Sequence, residues 1–132
     1  GRNRGALGVV RQYRLLADEA TMQVRSDRQT FQPWGLLGGK PSAAPRLVLN
    51  PATEAEILPS KFVRNLKQGD VLRAEMAGAG GYGDPFERNP QDVLEDIRQG
   101  KVTPGHAQEA YGVVIDEDNT TVDREATDRL RE

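Results

Sequence analysis

The residues whose types and spacing most resemble a chemical site form a glycine-rich run, Gly-Ala-Gly-Gly-Tyr-Gly, at positions 78–83. Its letters match the G-x-G-x-x-G pattern, in which a loop presents backbone N–H groups to a dinucleotide pyrophosphate. That site needs the loop to open directly into a helix, so that the phosphates meet the helix N-terminus. Here Asp84 and Pro85 follow the run, and no strand–helix–strand unit surrounds it. We therefore predict a structural loop that needs left-handed backbone or close approach of backbone segments. Its residues are Gly78, Gly80, Gly81, Tyr82, Gly83, Asp84 and Pro85.

A second candidate site is a charged segment that leaves a predicted strand and contains Arg25, Asp27 and Arg28. A carboxylate that holds one guanidinium would let the pair present a fork of N–H donors to a carboxylate or a phosphate. The alternative is a surface ion pair worth about 0–1 kcal/mol. The residue types alone favour this plainer interpretation.

The remaining acid–base and metal-binding residue types give weaker patterns. His106 is the only histidine, and no serine lies near it in sequence, so we predict a surface or capping role. The acidic stretch 116–119 begins like a calcium loop but lacks the glycine at the sixth position and the closing glutamate. The chain has no cysteine, which excludes disulfides, thiolate zinc sites and cysteine nucleophiles. We predict no metal site in this chain.

The elements that must position these residues begin with two predicted strands. Residues 7–15 and 21–25 alternate in polarity, which predicts strands with one buried face each. Asp18 and Glu19 offer a turn between them, so we predict that the two strands pair as a β-hairpin. The residues expected to face inward are Leu7, Val9, Tyr13, Leu15, Met22 and Val24.

A long loop at 26–45 follows, and it contains the only tryptophan, Trp34. Loops of this length inside a compact domain are usually functional or disordered, and the tryptophan favours the ordered kind. Further short strands are predicted at 46–50, 57–58 and 71–76, with a turn at 67–70 before the last of them.

The last third of the chain has helical punctuation instead. Asn89 and Thr103 each precede a proline, which is the arrangement of an N-cap and a first helical residue. Gly100 and Gly112 are placed to end these two helices. A final strand at 111–115 and a charged helix capped by Asp123 complete the prediction. The predicted fold is α+β in a single domain, residues 1–132, with a β-rich part at 1–77, a glycine-rich loop at 78–88, and a helical cap with a charged tail at 89–132.

Composition excludes several classes of function. The 132 residues include 18 basic and 20 acidic ones, mixed along the chain, with a net charge of -2. Nucleic-acid binding through phosphates needs a basic excess or stripe, so we predict none. No apolar run approaches the ~18 residues of a membrane span. The absence of cysteine favours a cytoplasmic protein, and the start at glycine without methionine indicates a segment of a longer one.

Three segments together carry a family resemblance. Residues 5–13 read Gly-Ala-Leu-Gly-Val-Val-Arg-Gln-Tyr, and the charged segment at 25–28 leads to Trp-Gly-Leu-Leu-Gly-Gly-Lys-Pro at 34–41. The glycine-rich run then leads through Asn89 and Pro90 to Ala-Tyr-Gly-Val-Val at 110–114. In this order and spacing the chain resembles the C-terminal end of the hydantoinase B/oxoprolinase family. Ala79 stands where the family commonly has another glycine.

The resemblance implies one half of an ATP-dependent enzyme that hydrolyses cyclic amides such as 5-oxoproline and N-methylhydantoins. A companion hydantoinase A-type subunit is expected to bind ATP, and the remainder of the hydantoinase B-type subunit is the other expected partner. ATP and a divalent metal are expected elsewhere in the parent enzyme, with no cofactor in this chain. The resemblance implies a C-terminal domain, or a separately encoded small subunit, of such an enzyme. The catalytic groups are expected mostly upstream of Gly1, and this chain is not expected to be active alone.

On this resemblance we hypothesise that one set of side chains faces the substrate cavity or the partner subunit. The set is Arg25, Asp27, Arg28, Trp34 and Lys40. Two alternatives stay open: the equivalent piece of an acetone or acetophenone carboxylase-type enzyme, and a purely structural domain that docks on its own large subunit. A stand-alone small-molecule binding module ranks behind both.

Overall fold

The structure, a computed structural model, describes residues 1–132 and contains eight strands and three helices. This confirms the predicted α+β class, with the strands mostly first and the helices last. The strands are β1 (Val10–Arg14), β2 (Glu19–Arg25), β3 (Arg46–Leu49), β4 (Glu56–Leu58), β5 (Lys61–Lys67), β6 (Val71–Glu75), β7 (Val114–Ile115) and β8 (Val122–Asp123). The helices are α1 (Pro90–Arg98), α2 (Pro104–Tyr111) and α3 (Arg124–Arg131), and a single 3-10 turn spans Pro85–Glu87. No helix has the length and apolar character that a membrane span requires.

The chain folds as two compact units, which we call the strand unit and the helical unit. The strand unit comprises Leu7–Pro33 and Ser42–Ala79. The helical unit comprises Gly1–Ala6, Trp34–Pro41 and Gly80–Glu132. The long predicted loop at 26–45 therefore contributes to both units.

In the strand unit, a four-stranded antiparallel sheet has the order β1-β6-β3-β4, and β2 and β5 form a second, two-stranded sheet. Successive side chains of a strand point to opposite faces, and the cross-strand pairs of β3 with β4 and β6 place Leu47, Leu49, Leu58 and Leu72 on one face of the sheet. This row is the core of the unit, and Met22 and Val24 of β2 pack against it as predicted. The buried core residues are Leu47, Leu49, Leu58, Leu66, Leu72 and Ala74.

The predicted hairpin between β1 and β2 is wrong, although both strands exist. β1 runs antiparallel to β6, with Val10 opposite Glu75. β2 runs antiparallel to β5, with Arg25 opposite Lys61. The two strands are therefore successive parts of one bent segment that lies against a second bent segment, β5–β6.

Backbone hydrogen bonds at the bend explain why no hairpin forms. The Leu15 N–H donates to the Asp70 carbonyl at 2.9 Å, and the Gln68 N–H donates to the Asp18 carbonyl at 2.9 Å. The turn that needs left-handed backbone lies in the facing segment, at Gly69, with φ +91°. The link between β1 and β2 contains no glycine or asparagine, which tight two-residue hairpin turns favour.

The prediction of a buried face on β1 is also wrong. Leu7, Val9 and Tyr13 are all about half exposed, and of the predicted inward set in this segment only Leu15 packs against the core. β1 lies at the edge of its sheet, and the core cluster contacts this segment only just beyond its end, at Leu15. Alternation predicted the strand correctly but carried no information about its place in the sheet.

The helical unit follows the predicted punctuation closely. Asn89 caps α1 by accepting a hydrogen bond from the Gln91 N–H, and Thr103 caps α2 by accepting from the His106 N–H. Gly112 ends α2 in the left-handed region, with φ +59°. The core of the unit is a cluster in which α1 and α2 bury their apolar faces together, and its buried members are Val93, Ala107, Tyr111 and Val113.

Candidate functional site

The glycine-rich run lies between two other backbone segments, and we call residues 1–3, 34–40 and 80–84 together the glycine junction. Tyr82 exchanges two backbone hydrogen bonds with Asn3, at 2.9 and 3.0 Å. On the other side the Gly81 N–H donates to the Lys40 carbonyl at 2.9 Å, and the Gly83 N–H donates to the Leu36 carbonyl at 2.9 Å. The central segment is thus bonded to both neighbours.

Glycine is needed in the junction because the segments approach without room for side chains. A Cβ atom on Gly80 would overlap the carbonyl oxygen of Trp34, and one on Gly39 would overlap the carbonyl oxygen of Gly81. Gly83 adds a second requirement, since its φ is +74°. In the run itself, close approach accounts for Gly80 and left-handed backbone for Gly83.

The same hydrogen bonds decide whether the run fits a nucleotide. A phosphate-binding loop keeps its backbone N–H groups free to face the anion. Here the N–H groups of Gly81, Tyr82 and Gly83 all donate to backbone carbonyls of the junction. A short 3-10 turn follows at Pro85–Glu87, capped by the side chain of Asp84, and it is too short to supply a helix N-terminus. The residues present therefore do not fit ATP.

A tight turn projects from the junction and carries part of the predicted site. The Gly39 N–H donates to the Leu36 carbonyl at 2.9 Å, and the two residues between them have positive φ, +48° at Leu37 and +87° at Gly38. Trp34 and Lys40, which flank the turn, have exposed side chains, and Leu37 at its tip is 73% exposed. The turn thus displays apolar side chains next to one cation.

The other predicted site residues lie in the strand unit. Arg25 ends β2 directly opposite Lys61 on β5. Asp27 is 85% exposed, and its carboxylate lies 3.8 Å from the Lys61 ammonium. Arg28 adopts left-handed backbone, with φ +69°. The structure thus places Arg25, Asp27 and Arg28 in one short stretch of the strand unit, and Trp34 and Lys40 in the helical unit.

One charged cluster of the helical unit was not predicted from the sequence. The carboxylate of Asp96, which is buried in α1, accepts hydrogen bonds from Arg88 at 2.9 Å and from Arg4 at 3.1 Å. The ammonium of Lys101 lies 3.9 Å from the same carboxylate. The sequence did indicate that Asp96 is buried, because it lies three residues after Val93 and therefore on the apolar side of the helix. Of its partners, Arg4 is distant in sequence, whereas Arg88 and Lys101 lie within eight residues of it.

A second helical-unit feature closes the turn between β7 and β8. The carboxylate of Asp116 accepts hydrogen bonds from the N–H and hydroxyl groups of both Thr120 and Thr121. These bonds, with the Thr120 hydroxyl as the largest cause, lower the pKa of Asp116 to about 2. The acidic stretch 116–119 is thus part of a turn, and its first carboxylate accepts hydrogen bonds from backbone N–H groups of that turn. Nowhere does the structure group three or more His, Asp or Glu side chains in a way that would hold a metal ion.

Comparison with known proteins shows that the glycine junction lies within a region shared with a protein family. The model of the hydantoinase B/oxoprolinase family matches residues 1–85, which include all three of its segments. The chain belongs to this family. The resemblance predicted from the sequence is confirmed.

Individual relatives extend the match beyond residue 85. The chain is 35% identical over 134 residues to the B-type subunit of a putative D-/L-hydantoinase from Pseudomonas sp. strain NS671, covering 99% of this chain and 22% of that protein. It superimposes on the crystal structure of the ATP-dependent caprolactamase from Pseudomonas jessenii with a TM-score of 0.83 at 29% identity, over 99% of this chain and 23% of the other. The nucleotide-free structure of acetone carboxylase gives 0.61 at 27% identity, over 74% of this chain and 18% of the other. The chain thus spans under a quarter of the length of the relatives it matches.

Proposed function

We propose that this chain is the C-terminal region of a hydantoinase B-type subunit in an ATP-dependent enzyme that hydrolyses cyclic amides. The observation that carries the proposal is the superposition of 99% of the chain on the caprolactamase, with a TM-score of 0.83. The hydantoinase relative with 35% identity supports the same reaction class. The proposal treats residues 1–132 as one domain of that subunit and places the enzyme in the cytoplasm, which the absence of cysteine favours.

A carboxylase is the second candidate, and a specific observation supports it. An acetophenone carboxylase delta subunit from Aromatoleum aromaticum is 40% identical over 72 residues of this chain. The hydrolase is favoured because its structural match includes nearly all the chain, whereas the acetone carboxylase match covers 74%.

ATP is assigned to a hydantoinase A-type partner subunit, and a divalent metal to parts of the enzyme outside this chain. The loop chemistry supports this division, because the amide groups of Gly81, Tyr82 and Gly83 are already bonded to carbonyls. We propose that this region contributes to the structure of the subunit and lines part of a substrate cavity.

The proposed cavity residues are Arg25, Asp27, Arg28, Trp34 and Lys40. A guanidinium provides paired N–H donors that suit a carboxylate, such as that of 5-oxoproline, or a phosphorylated oxygen. The exposed indole of Trp34 provides an apolar surface for a ring. The Asp27 carboxylate lies 3.8 Å from the ammonium of Lys61, the residue opposite Arg25 on β5.

The reaction class is tested by product analysis on the complete enzyme, meaning the full-length subunit with its nucleotide-binding partner. We expect ATP-dependent formation of a ring-opened amino acid from 5-oxoproline, a hydantoin or caprolactam, measured by mass spectrometry. A parallel assay supplies acetone or acetophenone with labelled bicarbonate. Label transferred to the ketone, with every cyclic amide left intact, would reject the hydrolase in favour of the carboxylase.

A further inference from the structure

The outer edge of β1 has no neighbour in the chain. The sheet order β1-β6-β3-β4 leaves β1 bonded to β6 on one side only. Such an edge presents a row of backbone N–H and C=O groups that another strand can pair with. Proteins usually protect exposed edges with proline, bulges or charged side chains, especially lysine. β1, with the sequence Val-Arg-Gln-Tyr-Arg, has no proline or lysine, and its charged residues are Arg11 and Arg14.

The register identifies which backbone groups face outward. The Val9 carbonyl accepts from the Met76 N–H at 2.8 Å, and the Leu15 N–H donates to Asp70 at 2.9 Å. In an antiparallel ladder, alternate residues bond to the same neighbour, so Arg11 and Tyr13 also face β6. The N–H and C=O groups of the residues between them therefore point to the open side; these residues are Val10, Gln12 and Arg14.

Exposed apolar side chains of this segment lie on both faces of the sheet, among polar ones. Val9 and Tyr13 lie on the face that carries the leucine core, and they are 52% and 54% exposed. Val10 lies on the opposite face and is 56% exposed. An occupant that covered these side chains would have to contact both faces as well as the edge.

We propose that the open edge of β1 pairs with a β-strand from the remainder of the same hydantoinase B-type subunit, so that β1 becomes an internal strand. This inference rests on the proposed function, in which the chain is one region of a longer subunit. The solved caprolactamase chain, of which this chain covers 23%, has the additional length to supply such a strand. The paired strand satisfies the edge groups, and further segments of the same polypeptide cover Val9 and Tyr13 on one face and Val10 on the other.

A second copy of this chain is a poorer occupant. Pairing β1 with β1 of another copy would satisfy the edge groups of Val10, Gln12 and Arg14. It would add only one strand in the plane of the sheet. Val9 and Tyr13 would stay exposed on one face, and Val10 would stay exposed on the other. Surrounding structure from the same polypeptide covers edge and faces together.

The test is hydrogen–deuterium exchange of the full-length subunit, read at single residues by mass spectrometry with electron-transfer fragmentation. We expect the amides of Val10, Gln12 and Arg14 to exchange on the order of 100-fold more slowly than unprotected amides, because hydrogen-bonded strand amides exchange only through opening. Arg11 and Tyr13 are internal controls, since their amides are bonded to β6. Protection of all five that is independent of subunit concentration supports the proposal.

Three results would overturn it. Fast exchange at Val10, Gln12 and Arg14, with Arg11 and Tyr13 protected, would mean that the edge stays open. Protection that disappears on dilution would identify a second copy as the occupant. Protection that needs the nucleotide-binding subunit would assign the strand to that partner. None of these readings depends on activity, so an enzyme that hydrolyses cyclic amides with an open edge would leave the proposed function intact.

Discussion

Arg25 and Arg28 are the residues on which the proposed cavity depends most. Both lie on or just after the end of β2, and the adjacent Asp27 is highly exposed. An exposed ion pair at this position contributes only about 0–1 kcal/mol to folding. Stability therefore gives little reason for the cluster, whereas recognition of an anionic substrate gives one.

Replacing either arginine with alanine should lower turnover and leave the fold intact. We expect Arg25→Ala and Arg28→Ala to reduce kcat/KM about 10-fold or more, since a charge-assisted hydrogen bond contributes about 1.5–3 kcal/mol. The melting temperature should stay within about 2 °C. Arg129→Ala, which removes an exposed arginine of α3, is the matched control. Kinetics equal to those of this control would remove both residues from the site.

Gly80 has a structural role. Because it lacks a side chain, its backbone can pack directly against the backbone of Trp34. We expect Gly80→Ala to lower the free energy of unfolding by about 1–3 kcal/mol, since the added methyl meets the Trp34 carbonyl. Gly105→Ala is the control, because nothing lies within 4 Å of that position. Because Gly105 lies in the first turn of α2, alanine there should leave stability unchanged or raise it by up to about 1 kcal/mol. Equal urea midpoints for the two variants would contradict the packing described for the junction.

Asp116 gives a pH dependence with a definite sign. Its pKa is lowered to about 2 from 3.8, so its carboxylate stabilises the β7–β8 turn above pH ~4, and the contribution is lost as the pH falls towards 2. An NMR titration of the Asp116 carboxyl carbon should give a midpoint near 2. Thr120→Val, which removes the hydroxyl donor, should move that midpoint upwards. An unchanged midpoint in the variant would show that the hydroxyl bond does not cause the shift.

At the scale of elements, helix ends were predictable and strand pairing was not. Asn89, Thr103 and Gly112 act within a few residues of themselves, so caps can be derived from local sequence. β1 pairs with a strand about 60 residues away, and nothing in its own alternation distinguishes that partner from β2. β5 was missed for a related reason, because only Phe62 and Leu66 of its seven residues pack towards the core.

The last helix illustrates how polar contacts hold an element with few apolar residues. In α3, Thr127 is 1% exposed, and its hydroxyl accepts a hydrogen bond from the Val114 N–H at 3.0 Å. Arg131 donates to the carbonyls of Tyr111 and Arg88. The helix was predicted from its cap, Asp123, but these anchoring bonds join residues 13 or more positions apart. A local sequence pattern could therefore not predict these bonds.

Thr127 allows this anchoring to be measured. Thr127→Val keeps the shape of the side chain but leaves the half-buried Val114 N–H without its acceptor. We expect a loss of about 1–3 kcal/mol in the free energy of unfolding. Thr127→Ser keeps the hydroxyl, and it should cost about 1 kcal/mol for one buried methyl group. A valine variant as stable as the serine variant would show that packing, and not the hydrogen bond, holds α3.

At the scale of the whole molecule, the family was predictable and the arrangement of the candidate site was not. The glycine run, the Trp34 segment and the charged stretch at 25–28 occur in one order along the chain, which a family pattern records directly. Their division between a strand unit and a helical unit depends on long-range pairing and appears only in the fold. Half-exposed apolar residues on an open edge strand fit a region that functions inside a larger subunit.

The proposed function requires the complete enzyme to couple ATP hydrolysis to the opening of a cyclic amide. The most direct measurement is the ratio of ADP released to ring-opened product formed by the complete enzyme. The proposed function predicts a fixed ratio of ADP to ring-opened product with the preferred cyclic amide, and almost no ADP release without that amide. Ring opening that continues without ATP, or ADP release that responds only to a ketone with bicarbonate, would contradict it.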